Sequence, residues 1–310
     1  MLVSVFNEYS RLQHTFLGIV SEVHLARAGE IFPAETTPWW MVVLDRLFCR
    51  AFAGARIPRA FLGGFSREIA SLEHTLLEHG VKLSRPQRVT PLPGEPAGLS
   101  QMFARDPVIV VGDTVIAGRQ RLPALRKEIR GFQQALDRLG ADGRRVIRVP
   151  DRGDIYLEGG DVLVDLPYVY VGTGPLASNM NGASWLHEQL GADVHVVPVP
   201  IVKPGIFHLD TCLTLVGPRL GIICRDSLAE PLPAPLRDHA FIEIDERTRR
   251  QIGLNVLVLD RRTVVLQRRH KALRQALERK GFTTVPLDFN WHALAGGAFR
   301  CATHPLVRAG

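Results

Sequence analysis

Cysteine, histidine and acidic residues are distributed along this chain in a pattern that could serve covalent chemistry on a cation. Cys301 lies in Gly296-Gly297-Ala298-Phe299-Arg300-Cys301-Ala302-Thr303. Three upstream segments offer what a sulfur nucleophile needs: Arg105-Asp106-Pro107, Glu158-Gly159-Gly160-Asp161 and Phe207-His208-Leu209-Asp210. A thiolate can attack, one histidine can move protons, and several carboxylates can hold a positively charged substrate. His208 and Asp210 stand at i and i+2, so in an extended segment both point to one side. Gly159 and Gly160 permit backbone geometries or close approaches that larger residues resist. Asp106 sits between Met102-Phe103 and an apolar run of four residues, an acid set in apolar surroundings. Around Cys301 the paired glycines make a tight loop, where backbone amides or Arg300 could lower the thiol pKa.

Each segment taken alone also has a plainer reading. His208 and Asp210 fit a core histidine salt-bridged to its neighbour. Glu158 to Asp161 fits an ordinary glycine turn with solvated acids. Arg105 and Asp106 fit a surface ion pair, and Cys301 a buried cysteine near the chain end. The constellation carries the argument, not any one member.

The elements that must position these residues alternate between strand-like apolar runs and helical patterns, which predicts an α/β architecture. Strands are expected at residues 108–111, 162–164, 168–171, 213–216, 221–223 and 256–259, and helices at 66–79, 125–139, 183–190 and 270–280. Gly281 is placed to end the last helix. A module recurs: a helix, a strand ending in Val-x-Pro or a relative (145–150, 194–198, 283–287), a polar loop, then more strands. Asp106, Glu158 and His208 follow these strands at steps of about 50 residues, and Cys301 comes after nearly twice that gap, as repeats converging on one axis would give. The proline-rich stretches 86–96 and 231–235 read as surface loops too short to divide the chain, so residues 1–310 are expected to form one catalytic domain.

With 310 residues, 46% of them hydrophobic, the chain can bury a sizeable core. No apolar run approaches the ~20 residues that span a bilayer, and the first residues lack a basic segment followed by an apolar one, so a cytoplasmic, non-membrane protein is expected. Cys49, Cys212, Cys224 and Cys301 show no metal-ribbon or redox pairing. Cys212 and Cys224 lie in apolar runs and read as core, while Cys49 has no assigned role. No metal and no organic cofactor is implied; Gly112-Asp113 and Gly172-Thr173-Gly174 are too short for phosphate loops. The net charge of +7 raises nucleic-acid binding. Its clusters, Arg261-Arg262 and 268–271, have no interleaved aromatics or recognition-helix pattern, so they read as a solvated face and nucleic acid is not expected as a partner.

Together the segments resemble the guanidino-group-modifying enzymes of the pentein superfamily, which includes amidinotransferases, arginine deiminases and dimethylarginine hydrolases. The resemblance runs nearly end to end, through Asn7-Glu8-Tyr9, residues 103–113, Glu158 to Asp161, His208 to Asp210, residues 255–260 and residues 294–301. It implies a five-bladed α/β propeller of repeated ββαβ-type modules around a central site. By similarity Cys301 is the nucleophile, His208 the general acid and base, and Glu158 the acid paired with that histidine. Asp106 and Asp210 correspond to the carboxylates that grip the guanidinium, and Arg225 is the candidate for a substrate carboxylate, with Arg219 or Arg300 as alternatives. Residues 105–116 and 255–301 look most like amidinotransferases, which take the amidino group of L-arginine to an amine acceptor. Glu158-Gly159-Gly160-Asp161 resembles the hydrolase branch, and Gly296-Gly297-Ala298 replaces a more usual triple glycine. The alternative is therefore an arginine deiminase, dihydrolase or methylarginine hydrolase. Small-molecule substrates are the partners implied, with a homodimer left open.

Overall fold

A computed structural model of the protein describes residues 2–20, 23–26 and 54–309; Cys49 lies outside the described residues. Five three-stranded sheets form the frame. In each, the middle strand pairs antiparallel with one neighbour and parallel with the other. Blade two is Val108–Val111, Thr114–Ala117 and Val146–Arg148. Blade three is Val162–Asp165, Tyr168–Thr173 and His195–Pro200. Blade four is Leu213–Gly217, Leu220–Ile223 and Ala240–Glu243. Blade five is Leu257–Asp260, Thr263–Gln267 and Thr283–Leu287. Blade one closes the ring: the middle strand Leu12–Leu17 takes Thr303–Arg308 from the far end of the chain on one side and Lys82–Ser84 on the other. This is the five-bladed α/β propeller that the repeats and the resemblance lead one to expect.

The apolar runs are explained by which side each residue faces. Successive strand residues point to opposite faces, and both faces of each inner strand are packed. Val108 and Val110 join the cluster shared with blade one, whereas Ile109 and Val111 join that shared with blade three. The same alternation sends Leu163 towards blade four while Val162 and Val164 face blade two. It also sends Val256 and Val258 to blade four while Leu257 and Leu259 face blade one. Five clusters therefore fill the five seams, and truncating one such leucine to alanine costs about 2–5 kcal/mol.

The Val-x-Pro strands are the parallel outer strands, where a residue without an N–H does least harm. Helices carry the chain back to them. Gly63–Glu78 buries Ile69, Leu72 and Leu76 at the three-and-four spacing of one helical face. Lys271–Arg279 buries Leu273 and Leu277 and is followed by Gly281 at φ +87°. Gly112 and Asp113 form the two-residue turn of blade two, with Gly112 at φ +59°.

One helix departs from expectation. In place of a single helix over 125–139, a 3-10 segment Arg126–Phe132 leads into an α-helix Gln133–Ala141. Tertiary anchors tighten it. The Lys127 ammonium donates to the carbonyls of Pro96, Gly98 and Ala124, and the Glu128 carboxylate accepts the Ser100 N–H at 2.8 Å. At Gly131 a Cβ would stand 2.7 Å from the Gln87 carbonyl oxygen.

Candidate active site

Each site residue occupies the same place in its blade, the lead-in to the first inner strand. Asp106 precedes Val108–Val111, Glu158 precedes Val162–Asp165 and His208 precedes Leu213–Gly217. Cys301 precedes Thr303–Arg308, the strand that closes blade one. The missing step of the repeat is supplied by Asn255, 46 residues before Cys301 and at the entry to Leu257–Asp260. Asn255 opens the stretch 255–260 that carries part of the resemblance but had no role assigned, although the double gap before Cys301 marked its position.

The lead-ins share a local device. His208 and Glu158 are extended residues, each followed by a single 3-10 turn, Leu209–Thr211 and Gly159–Asp161. Asp210 is thus carried on a turn, not presented alongside His208 by a strand as the i, i+2 spacing predicts. Asp161 stitches the two turns: its carboxylate accepts the Leu209 N–H and the Ser178 N–H, both at 2.9 Å. The glycine pair serves close approach. A Cβ on Gly160 would lie 2.6 Å from His208 Cγ and 2.8 Å from Asp106 Oδ1, and one on Gly159 would collide with the Arg105 carbonyl.

On the imidazole side, His208 Nε2 is 3.1 Å from Glu158 Oε2 and Nδ1 is 3.8 Å from Asp106 Oδ1. Glu158 Oε1 accepts the Arg121 N–H at 2.9 Å, and Asp106 Oδ1 accepts the Gly160 N–H at 3.0 Å. Burial alone would lower the histidine pKa, but the surrounding carboxylates of Asp106, Glu158 and Asp161 push it well above its ordinary value. Burial pushes Asp106 up to about 6, against the pull of His208. His208 is therefore a stored proton facing acids.

On the sulfur side, Asn255 Nδ2 is 3.0 Å from Cys301 Sγ, while its Oδ1 accepts the N–H groups of Cys301 and Ala298. Asp210 Oδ2 lies 3.8 Å from the sulfur. Burial, with the charges of Asp210 and Asp106 adding to it, raises the thiol well above its ordinary pKa. A backbone hydrogen bond at Ala298 and the charge of Arg300 pull it down, as the sequence suggested, but do not win; the Arg300 guanidinium is spent on Asp210 Oδ2 at 2.9 Å, Glu8 Oε1 at 3.0 Å and the Val162 carbonyl at 2.7 Å. Burial would raise Glu8, but Arg300, Arg105 and Arg308 hold it down to about 2. Arg105 is no surface ion-pair partner either; it is buried and donates to the Arg300 carbonyl.

Cys301, His208 and Asp106 open onto one cavity of about 540 Å³, whose wall includes Phe103, Leu122, Leu125, Phe207 and the Gly296-Gly297 loop. Glu158 stands behind this wall as a support, and Asp210, fully buried, comes up to it beside the sulfur. Two buried polar residues on it, Gln120 and Glu128, had no place in the sequence reading. Arg225 lies elsewhere. It follows blade four's middle strand on the outside of the propeller, bonded to Glu243 at 2.6 Å and Glu230 at 3.1 Å. Arg219 is an exposed turn residue and Arg300 is consumed in the core. The arginines lining the cavity are Arg249 and Arg250.

This arrangement can do a defined chemistry. A planar cation beside Asp106 and Asp210 would bring its central carbon to the sulfur and, by its charge, favour the thiolate that burial opposes. The imidazolium can protonate a departing amine. Among the described residues no cluster of metal-ligand type is present, and no helix is long and apolar enough to cross a membrane.

Comparison with known proteins places the chain. Residues 95–308 match the family model described as N,N dimethylarginine dimethylhydrolase, eukaryotic. Inosamine-phosphate amidinotransferase 1 of Streptomyces glaucescens is 26% identical, the match covering 100% of this chain and 97% of that one. The solved structure of SxtG, an amidinotransferase of the saxitoxin biosynthetic pathway from Microseira wollei, superposes with a TM-score of 0.85 at 19% identity, over 99% of this chain and 98% of its own. The N-terminal domain of a cyanobacterial arginine dihydrolase superposes with a TM-score of 0.64 at 18% identity, over 78% of this chain and 85% of its own. The chain belongs to the dimethylarginine dimethylhydrolase family and, with it, to the pentein superfamily of enzymes that act on guanidino groups.

Proposed function

We propose that the protein is an amidinotransferase that moves the amidino group of L-arginine, or of a related guanidine, to an amine acceptor through an amidino-cysteine. The observation that carries the reading is the convergence of Cys301, His208 and Asp106 on one cavity, with Asp210 at 3.8 Å from the sulfur. The transferase over the hydrolase is supported by end-to-end likeness to SxtG and to the Streptomyces glaucescens amidinotransferase.

Asp106 and Asp210 hold the guanidinium, and the Cys301 thiolate adds to its central carbon to give a neutral tetrahedral adduct. His208 gives its proton to the substituted nitrogen, the C–N bond breaks, and a neutral amine departs, leaving a cationic amidino-cysteine and a neutral imidazole. That imidazole then takes a proton from the acceptor amine, which adds to the same carbon; collapse expels the thiolate. Glu158 orients the imidazole, and Asn255 Nδ2 supports the sulfur as an anion. Arg250, at the cavity rim and paired with Glu246 through its Nε at 2.8 Å, turns its remaining guanidinium N–H groups to a substrate carboxylate.

The family match favours a second reading, hydrolysis, in which water replaces the amine. Incubation with isotopically labelled L-arginine, alone and with glycine, lysine or an aminocyclitol, separates the two by mass. Ornithine formed only when an amine is present supports transfer. Citrulline, or ornithine with ammonia, formed without an amine would overturn it in favour of hydrolysis.

A further inference from the structure

Gln120 and Glu128 lie on the same stretch of chain, between the middle strand of blade two and its helix, and both line the cavity. Each is only 3% exposed. Glu128 Oε1 accepts the Ser100 N–H at 2.8 Å. Among the described residues no protein group hydrogen-bonds Oε2 of Glu128 or the side-chain amide of Gln120, and both residues give onto the cavity. Polar ends this deeply set are ordinarily paired within the protein, and here they are left to whatever fills the cavity. Leu122 and Leu125 lie on the same wall, so the two polar ends stand out from an apolar surface. The chemistry described so far uses neither.

We propose that Glu128, assisted by the Gln120 amide, is a second cation-reading station of this cavity, selecting guanidines whose tail ends in an ammonium group. The proposal rests on the reading of the cavity as a guanidinium site. The planar cation occupies the acids nearest the sulfur, and a primary ammonium at the other end of a short aliphatic chain meets the free carboxylate oxygen. The Gln120 carbonyl can accept a second ammonium proton, and the leucines cover the methylenes. Burial, with Asp106 and Glu158 adding to it, pushes the Glu128 carboxyl up to about 8 against the pull of the Ser100 N–H and of Lys127. In the empty cavity near neutrality it is protonated and ionises when the ammonium arrives. Binding such a tail therefore releases a proton.

The test compares agmatine with pentylguanidine, which replaces the tail ammonium by a methyl group of similar size. Calorimetry on Cys301→Ala prevents turnover. Agmatine is expected to bind at least about tenfold more tightly, the worth of one charge-assisted hydrogen bond. That ratio should widen with rising pH between about pH 6 and pH 8, as less work is needed to ionise Glu128. Effects of His208 and Asp106 act on both ligands and cancel in the ratio. Glu128→Gln keeps an acceptor for the Ser100 N–H yet should collapse the ratio towards one and remove its pH dependence. In buffers of different ionisation enthalpy, the proton released by agmatine should also disappear in Glu128→Gln. A ratio near one in the parent, or one that survives Glu128→Gln, overturns this proposal while leaving the guanidinium site standing. Failure of both ligands to bind overturns the guanidinium site and this proposal with it.

Discussion

Asp106 and Asp210 are the same residue type with the same expected partner, yet the two sides of the cavity treat them differently. Asp106 faces the open space, backed by one backbone N–H, and burial lifts its pKa to about 6. Asp210 is fully buried, and Arg300 already donates to one of its oxygens. One carboxylate is a charge the fold tolerates for a ligand. The other is part of an ionic lattice with Arg300 and Glu8 that ties blades one, three and four together and fixes a negative edge beside the sulfur. A buried charge must be paired or it destabilises the fold, so the sulfur side has its charges matched internally while the imidazole side is left to be matched by substrate.

The largest effect that would test this contrast is on turnover. Cys301→Ala and His208→Ala should each lower kcat by at least about a thousandfold, because each removes a bond-making or proton-transferring group. Near-normal activity in Cys301→Ala would remove the covalent step. The two aspartates should then separate in stability. Asp210→Asn leaves the Arg300 guanidinium short of a charge in the core and should cost about 3 kcal/mol, seen as a clear fall in Tm as well as poorer binding. Asp106→Asn should raise KM for a guanidine by about ten- to a hundredfold through lost charge-assisted bonds. At pH 8 it should hold or raise Tm, because it removes a carboxylate whose ionisation burial opposes. Equal Tm changes in the two variants would erase the distinction.

A smaller effect lies in the pH profile. The thiolate is the reactive form and Cys301 is raised, so kcat/KM should climb with pH as sulfur loses its proton. The imidazolium is the reactive form and His208 is also raised, so the rate should fall again only well above the ordinary histidine range. His208→Gln should remove the alkaline limb of whatever activity remains; an unchanged profile would contradict the assignment. The smallest effect is expected for Asn255→Ala. Losing one amide beside the sulfur should slow alkylation of Cys301 by a haloacetamidine about tenfold, read as a labelling rate at fixed pH.

Much of the frame was legible because both faces of each inner strand are packed. Runs such as Val108 to Val111 and Leu257 to Leu259 stay apolar at every position, and the recurring Val-x-Pro strands announced a repeat. The step of about 50 residues was legible too, since each blade needs one hairpin, one helix and one return strand. The 3-10 segment Arg126–Phe132 was not, because its tightening comes from Lys127 and Glu128 reaching backbone groups of the segment at residues 96–100. Nor was the fate of Arg225, whose acidic partners Glu230 and Glu243 hold it on the outer face.

By itself, the sequence determined which residue types could do the chemistry and at what interval they recur, since nucleophilicity, proton affinity and strand alternation are properties of residues and their spacing. Only the tertiary structure decided which charges face one another. The division between Asp106, unpaired with any arginine, and Asp210, held by Arg300 through one oxygen, depends on residues 90 positions apart meeting at the axis. Glu128, with one carboxylate oxygen held by the Ser100 N–H, owes its raised pKa to a burial that no local pattern reveals. Desolvation and pairing act through space, and a chain read in one dimension carries neither.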